Sequence, residues 1–229
     1  MIQKILPYYL KVEINIIKNT IIDIINGNYF RYANKKNKRI RYKGNIQIIQ
    51  EIKQTKTTSA KLNNIKVALK KIEEIQINPN EVFSFWKTVG RPSKKNGYIE
   101  SRSIVNGQIT PTIGGGLCQL SGLIYYASLL ANLETIERHN HSKDIYTDKT
   151  RFTPLGSDAA VVYGFKDLKI KNNLKESIRF SFLLEKNNIT IRINSTKILD
   201  KNNLDFIKKS ENEIITYVNG NYITSSYYK

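Results

Sequence analysis

Cys118 is the only cysteine of the chain and stands two residues beyond its only glycine triplet, in the run Gly114-Gly115-Gly116-Leu117-Cys118-Gln119. Three consecutive glycines are costly in backbone entropy and answer a geometric need: a sharp turn that leaves N–H groups unshielded. The residues from Leu117 to Ala131 carry helical spacing at Leu117, Leu120, Ile124, Ala127 and Leu130, so Cys118 falls in the first turn of a helix. A helix N-terminus favours thiolate over thiol. Its free amides, from Gly115 and Gly116 onward, can hold the oxyanion that forms when a carbonyl is attacked, and Gln119 can add a side-chain donor. The only two histidines share the segment Arg138-His139-Asn140-His141-Ser142. Either can serve as general base for Cys118. Asp158 is the first choice for the group that fixes the imidazole tautomer, with Asp144 and Asn140 behind it. Arg138 or Arg102 can grip a substrate carboxylate through two parallel hydrogen bonds.

Plainer readings exist for the same residues. A lone cysteine is often a buried small hydrophobe, and either histidine can sit at a strand end bonded to backbone. A zinc ion on Cys118, His139 and His141 would leave one position open. No short Cys or His pair with a familiar zinc spacing supports that, and the reading adopted requires neither metal nor cofactor.

The elements that must position these groups follow from periodicity. Residues 2–26 read as a helix with an apolar stripe through Ile5, Tyr9, Val12, Ile16, Ile17, Thr20, Ile21, Ile24 and Ile25. The stripe either packs on the core, the default, or lies on a membrane surface. Residues 28–57 look like a loop with short strands. A second helix is expected over about 58–76, ended by Asn78-Pro79-Asn80. Val82, Phe83, Phe85 and Trp86 suggest a strand, and Asn106-Gly107 a hairpin turn. Strands follow at 133–139, 158–163, 166–171, 177–184 and 189–195, with a final hairpin over 213–228 around Asn219-Gly220. The order is that of an α+β protein, with helices and antiparallel hairpins around a strand–glycine turn–helix nucleus.

The chain has 229 residues and a formal net charge of +18. Residues 1–57 carry 12 Lys or Arg against 3 Asp or Glu, so this quarter supplies half of the excess. Arg31, Lys35, Lys36, Lys38, Arg39, Arg41 and Lys43 run without an acidic residue. Such a run suits an anionic membrane or wall polymer. No helix-turn-helix, zinc finger or aromatic RNA-binding signature accompanies it, so nucleic acid is not expected. One cysteine excludes an internal disulfide. No window approaches the ~20 apolar residues of a membrane span, and no signal-peptide core is evident. The expected location is cytoplasmic or peripheral to the membrane, with the cell envelope as the alternative.

Several motifs occur in a telling order. They are Asn78-Pro79-Asn80-Glu81-Val82-Phe83-Ser84-Phe85, Val89-Gly90, Gly97-Tyr98, Ile113-Gly114-Gly115-Gly116-Leu117-Cys118-Gln119-Leu120-Ser121, Glu137-Arg138-His139-Asn140-His141-Ser142 and Gly156-Ser157-Asp158-Ala159-Ala160-Val161. This set resembles the VanW family over roughly residues 57–195. The resemblance implies a basic N-terminal region over 1–56, a VanW-like domain over 57–200 and a C-terminal hairpin extension over 201–229. The family takes its name from an accessory protein of glycopeptide-resistance clusters. Some envelope proteins with this domain are described as L,D-transpeptidases, with its cysteine as nucleophile. Carried over, Cys118 would attack a peptide carbonyl of a peptidoglycan stem, with His139 or His141 as base, as acyltransferase or amidohydrolase. A non-catalytic module that binds a wall precursor or glycopeptide is the alternative. The family often has Pro-Gly where this chain has Pro79-Asn80.

Overall fold

The computed structural model describes residues 6–34, 43–105, 108–144, 151 and 153–229. Most of the basic run, residues 35–42, and the Asn106-Gly107 turn lie outside them. The architecture is α+β. In chain order come α1 (Tyr8–Ile25), β1 (Lys43–Glu51), α2 (Thr58–Ile72), β2 (Val82–Ser84), α3 (Phe85–Val89), β3 (Glu100–Val105), β4 (Gln108–Ile113) and α4 (Leu117–Leu130). Then follow β5 (Glu134–Glu137), β6 (Lys169–Lys171), β7 (Ile178–Leu184), β8 (Asn188–Ser195), β9 (Leu204–Ser210), β10 (Glu213–Val218) and β11 (Asn221–Tyr227).

α4 is the centre of the molecule. Leu120, Leu123, Ile124, Tyr125, Ala127 and Leu129 are all buried, and so are Ser121 and Ser128. A helix buried all round must be covered on several sides, and α4 is packed against β1, β8 and α2. Each fully buried leucine or isoleucine contributes about 1.5–3 kcal/mol. The antiparallel sheet β1–β8–β7 presents Ile46, Ile193 and Phe180 in one row. Ile46, Ile189, Ile191, Ile193 and Phe180 are buried with the face of α2 that carries Ile65, Ala68, Leu69 and Ile72. A second sheet, β2–β6–β5, and a third, β9–β10–β11, are also antiparallel.

Three expectations about strands need correction. Residues 43–51 form a nine-residue strand rather than a loop with short strands, because β1 pairs along β8 from Lys43 to Glu51. The strand at Val82 stops at Ser84: its hydroxyl accepts the Lys87 N–H at 3.1 Å and caps α3, while Asp167 takes the Trp86 N–H at 3.0 Å. Residues 158–163 and 166–168 do not join a sheet. Instead the Ala159 carbonyl accepts from Ser121 at 2.6 Å, the Ala160 N–H donates to the His139 carbonyl, and only a bridge between Val162 and Lys166 forms. The C-terminal hairpin does form, with Asn219 at φ 50° and Gly220 at φ 77° in its turn. It gains a third strand, β9, whose largely exposed residues give little apolar signal. Asn80 has φ 64°, a left-handed conformation that asparagine tolerates better than most residues.

α1 also departs from the default reading. Only Val12 and Asp23 are buried along it, and its isoleucine stripe faces outward. The helix is fastened by charge: Asp23 accepts from Lys169 Nζ at 2.6 and 2.9 Å and from the Tyr32 hydroxyl at 2.6 Å. Lys169 also reaches Glu137 at 3.0 Å. Burial opposes the charge on Lys169, yet these carboxylates raise its pKa. Removing the cation leaves the buried Asp23 carboxylate without a counter-charge. Lys169→Met is therefore expected to cost about 3–5 kcal/mol in urea unfolding. Lys171→Met, which severs only a partly exposed pair with Glu134 at 2.7 Å, should cost under about 1 kcal/mol.

Candidate active site around Cys118

The glycine turn sets the position of the thiol. Gly114 and Gly116 have φ of 88° and 101°, and Gly116 is the N-cap of α4. A Cβ on Gly115 would come within 2.5 Å of the Ser101 carbonyl oxygen, so the turn lies directly on β3. Asn64 of α2, fully buried, clamps this junction. Its amide donates to the carbonyls of Ile99 and Gly115 at 3.0 Å each, and its oxygen accepts the Ile99 N–H at 2.8 Å. The Leu117 N–H turns back to Gly114, and those of Gln119 and Leu120 turn back to Gly116. The N–H groups of Gly116 and Cys118 meet no acceptor among the described residues, whereas that of Gly115 is taken by Thr112 at 3.3 Å.

Cys118, partly exposed, donates its thiol to the Val161 carbonyl at 3.6 Å, and it lies near enough to His141 to bear on the charge of the imidazole. His141 Nδ1 lies 2.7 Å from Asp158 Oδ2, which also accepts the His141 backbone N–H at 2.7 Å, so Nε2 is the ring nitrogen left outside this pairing. The other carboxylate oxygen accepts from Arg138 at 2.9 Å and the Tyr228 hydroxyl at 2.5 Å. Burial would lower the His141 pKa, but the bonds to Asp158 and Cys118 outweigh it and raise the value to about 10. Burial likewise pushes Asp158 up, while His141, Arg138 and Tyr228 bring it down to about 2. Thiol, imidazole and carboxylate thus lie in one neighbourhood, the three groups that a cysteine nucleophile, its proton carrier and an orienting acid require.

The other expected residues fall elsewhere. His139 turns away to Glu137, 3.0 Å from Nε2. Burial raises Glu137, but bonds from His139, the Asp167 N–H and Lys169 bring its pKa down to about 2. Because the histidines diverge, Cys118, His139 and His141 do not gather, and no group of three possible metal ligands occurs among the described residues. Arg138 is not available for substrate. Its side chain is 4% exposed, donates to the Asp158 and Gly156 carbonyls and to Ser226, and lies over the Tyr125 ring at 5.0 Å. It is a positioning residue for Asp158. Gln119 is also corrected: its amide donates to Gln50 at 3.0 Å and to the Glu51 carbonyl at 3.2 Å, tying α4 to β1 rather than serving an oxyanion. Asp144 pairs with Arg151, and Asn140 donates to the carbonyls of His141 and Tyr227.

Three contributors escape sequence reasoning. Asn64 lies within an otherwise apolar helical face, and nothing local marks it as a clamp. Tyr228 is 70 residues from the carboxylate it meets. Lys61 covers Gly116, where an added Cβ would come within 2.6 Å of its Cγ. Burial first, and then repulsion from Arg102, lower the Lys61 pKa to about 8. Lys61 and exposed Arg102 thus bring two cations to the glycine turn.

A family model described as "VanW like protein" matches residues 60–194. The chain is 34% identical over 113 residues to the "Vancomycin B-type resistance protein VanW" of Enterococcus faecalis, an alignment spanning 49% of this chain and 41% of that one. It is 30% identical over 122 residues to the "Uncharacterized protein YoaR" of Bacillus subtilis, across 53% of this chain and 39% of that one. The matched region thus spans about two-fifths of the length of these relatives. No solved structure matches.

The shifts of His141 and Asp158 fix the shape of a stability profile. His141 binds its proton more tightly folded than unfolded, so its contribution is complete below about 6.5 and is lost as pH climbs through about 10. Asp158 is the reverse: its contribution is complete above 3.8 and is lost as pH falls through about 2. Urea unfolding across this range should show both limbs. His141→Gln should flatten the alkaline one, and an unchanged alkaline limb would contradict the pairing.

Proposed function

Because the chain belongs to the VanW-like family, we propose that it is a cysteine acyltransferase acting on peptidoglycan peptide, related in role to the glycopeptide resistance named for its enterococcal relative. The observation that carries this reading is Cys118 in the first turn of α4, near a His141 whose Nδ1 is held by Asp158. The Cys118 sulfur attacks a stem-peptide carbonyl, forming a C–S bond. The C–N bond breaks, and the leaving amine takes a proton from His141 Nε2. The amine of a second stem, or water, then attacks the thioester. His141 receives its proton, and sulfur leaves to regenerate Cys118. An amine acceptor makes this a transpeptidation of the L,D type; water makes it an amide hydrolysis.

The remaining roles follow from what surrounds these three residues. The free N–H groups of Gly116 and Cys118 are the candidate donors to the tetrahedral oxyanion, a contribution of about 3–4 kcal/mol where such a donor has been removed. Asp158 keeps His141 in the tautomer that presents Nε2 to sulfur, and Arg138 keeps Asp158 ionised and oriented. Lys61 and Arg102 suit a carboxylate of the stem peptide, a role that Arg138, fully engaged, cannot fill. His139 serves the charge network around Glu137 and Lys169 instead of the thiol.

The test is incubation with a purified stem peptide and an amine acceptor, with intact-protein mass for the thioester and chromatography for the new amide. Cys118→Ala should abolish the adduct, His141→Ala should slow its formation by about 10²–10⁴-fold, and His139→Ala should leave it largely unchanged. Arg102→Gln should raise KM while leaving kcat near its parent value. Stem peptide that binds but gives neither adduct nor product would overturn the catalytic reading in favour of a binding module.

A further inference from the structure

α1 is a helix with little hold on the molecule and a large apolar surface turned away from it. Val12 rests against Gly164, Asp23 is paired with Lys169, and the Tyr8 ring stacks on Phe165 at 5.9 Å. On its other side Ile14, Ile17, Ile21, Ile24 and Ile25 recur at three- and four-residue spacing and are 43–76% exposed. Phe30, just beyond the helix, is 76% exposed. A contiguous apolar surface of this kind marks an interaction site.

The surroundings of the stripe are positive. At about 100° per residue, Lys11 and Lys18 lie together along one border of it. Arg31 and Lys87 are exposed at the far end, with Lys87 Nζ 5.0 Å from the centre of the Tyr29 ring. The acids of α1 are both neutralised: Glu13 pairs with Arg91 at 3.2 Å, and Asp23 with Lys169. A second copy meeting the same face would bring like charges together, whereas an anionic lipid surface supplies both the apolar depth and the opposite charge. No helix among the described residues is long and apolar enough to cross a membrane, so the surface fits a helix that lies in the interface plane.

We infer that α1 is an interfacial helix, its isoleucine face seated in an anionic bilayer and its basic border on the lipid phosphates. This inference does not rest on the catalytic reading. Co-sedimentation of the full chain with phosphatidylglycerol–phosphatidylcholine vesicles should give at least about tenfold stronger partitioning than with phosphatidylcholine alone. Ile17→Glu combined with Ile21→Glu should reduce partitioning at least about tenfold with an unchanged melting temperature, since both positions are exposed. Lys11→Gln with Lys18→Gln should weaken it on anionic vesicles only. Ile25→Trp provides a readout within an intact fold: its emission should shift to the blue when anionic vesicles are added. No partitioning into anionic vesicles would overturn the inference. So would binding that survives the glutamate pair and vanishes in salt, or a dimer in solution that the glutamate pair dissociates.

Discussion

The Ser101 carbonyl oxygen occupies the space where a side chain at residue 115 would begin. That close approach of two backbones is the constraint from which the site is built. Only glycine satisfies it at 115, and the left-handed torsions at 114 and 116 then let the chain reverse within three residues and enter a helix at once. The turn is held from below by an asparagine whose three hydrogen bonds are all made to backbone, so its burial leaves no polar atom unpaired. The helix that follows is buried along most of its length and cannot rotate or slide without exposing core. The first turn of that helix, and the sulfur it carries, are therefore fixed by packing.

The charges near the sulfur obey the same economy. Asp158 receives four hydrogen bonds and Arg138 donates four, so neither ion is buried without partners. Ion pairs of this type add little stability compared with apolar packing, but they are unforgiving of a missing member. Their value lies in orientation: the imidazole is gripped at Nδ1 and its own backbone N–H by one carboxylate oxygen. A second network, Asp23–Lys169–Glu137–His139, lies beside the first and fastens α1. Asp167, at its edge, is half-buried, and desolvation raises its pKa to about 6.

What could be read from the residues and what could not divide along a physical line. The glycine turn, the helix after it and the grouping of Cys118, a histidine and Asp158 rest on rare residue types or strong periodicity, and these were legible. The choice between His139 and His141 was not, because it depends on where the chain turns after β5 and on Glu137 two residues upstream. Arg138 and Gln119 carry the right chemistry for a substrate or an oxyanion, yet partners from distant strands consume their donors. β9 was hidden by its polar composition, since a strand completed mainly by ladder bonds leaves little mark in side-chain pattern. α1 gave a true helical pattern whose direction of facing the pattern itself does not encode.

Tyr228 and Ser226 reach the carboxylate system from the third sheet, across 70 and 88 residues of chain. They bind the last strand of the chain to the loop that carries Asp158. Without Tyr228 the Asp158 carboxylate would keep three of its four hydrogen bonds. The third sheet is thereby part of the support of His141, through the carboxylate on which both converge.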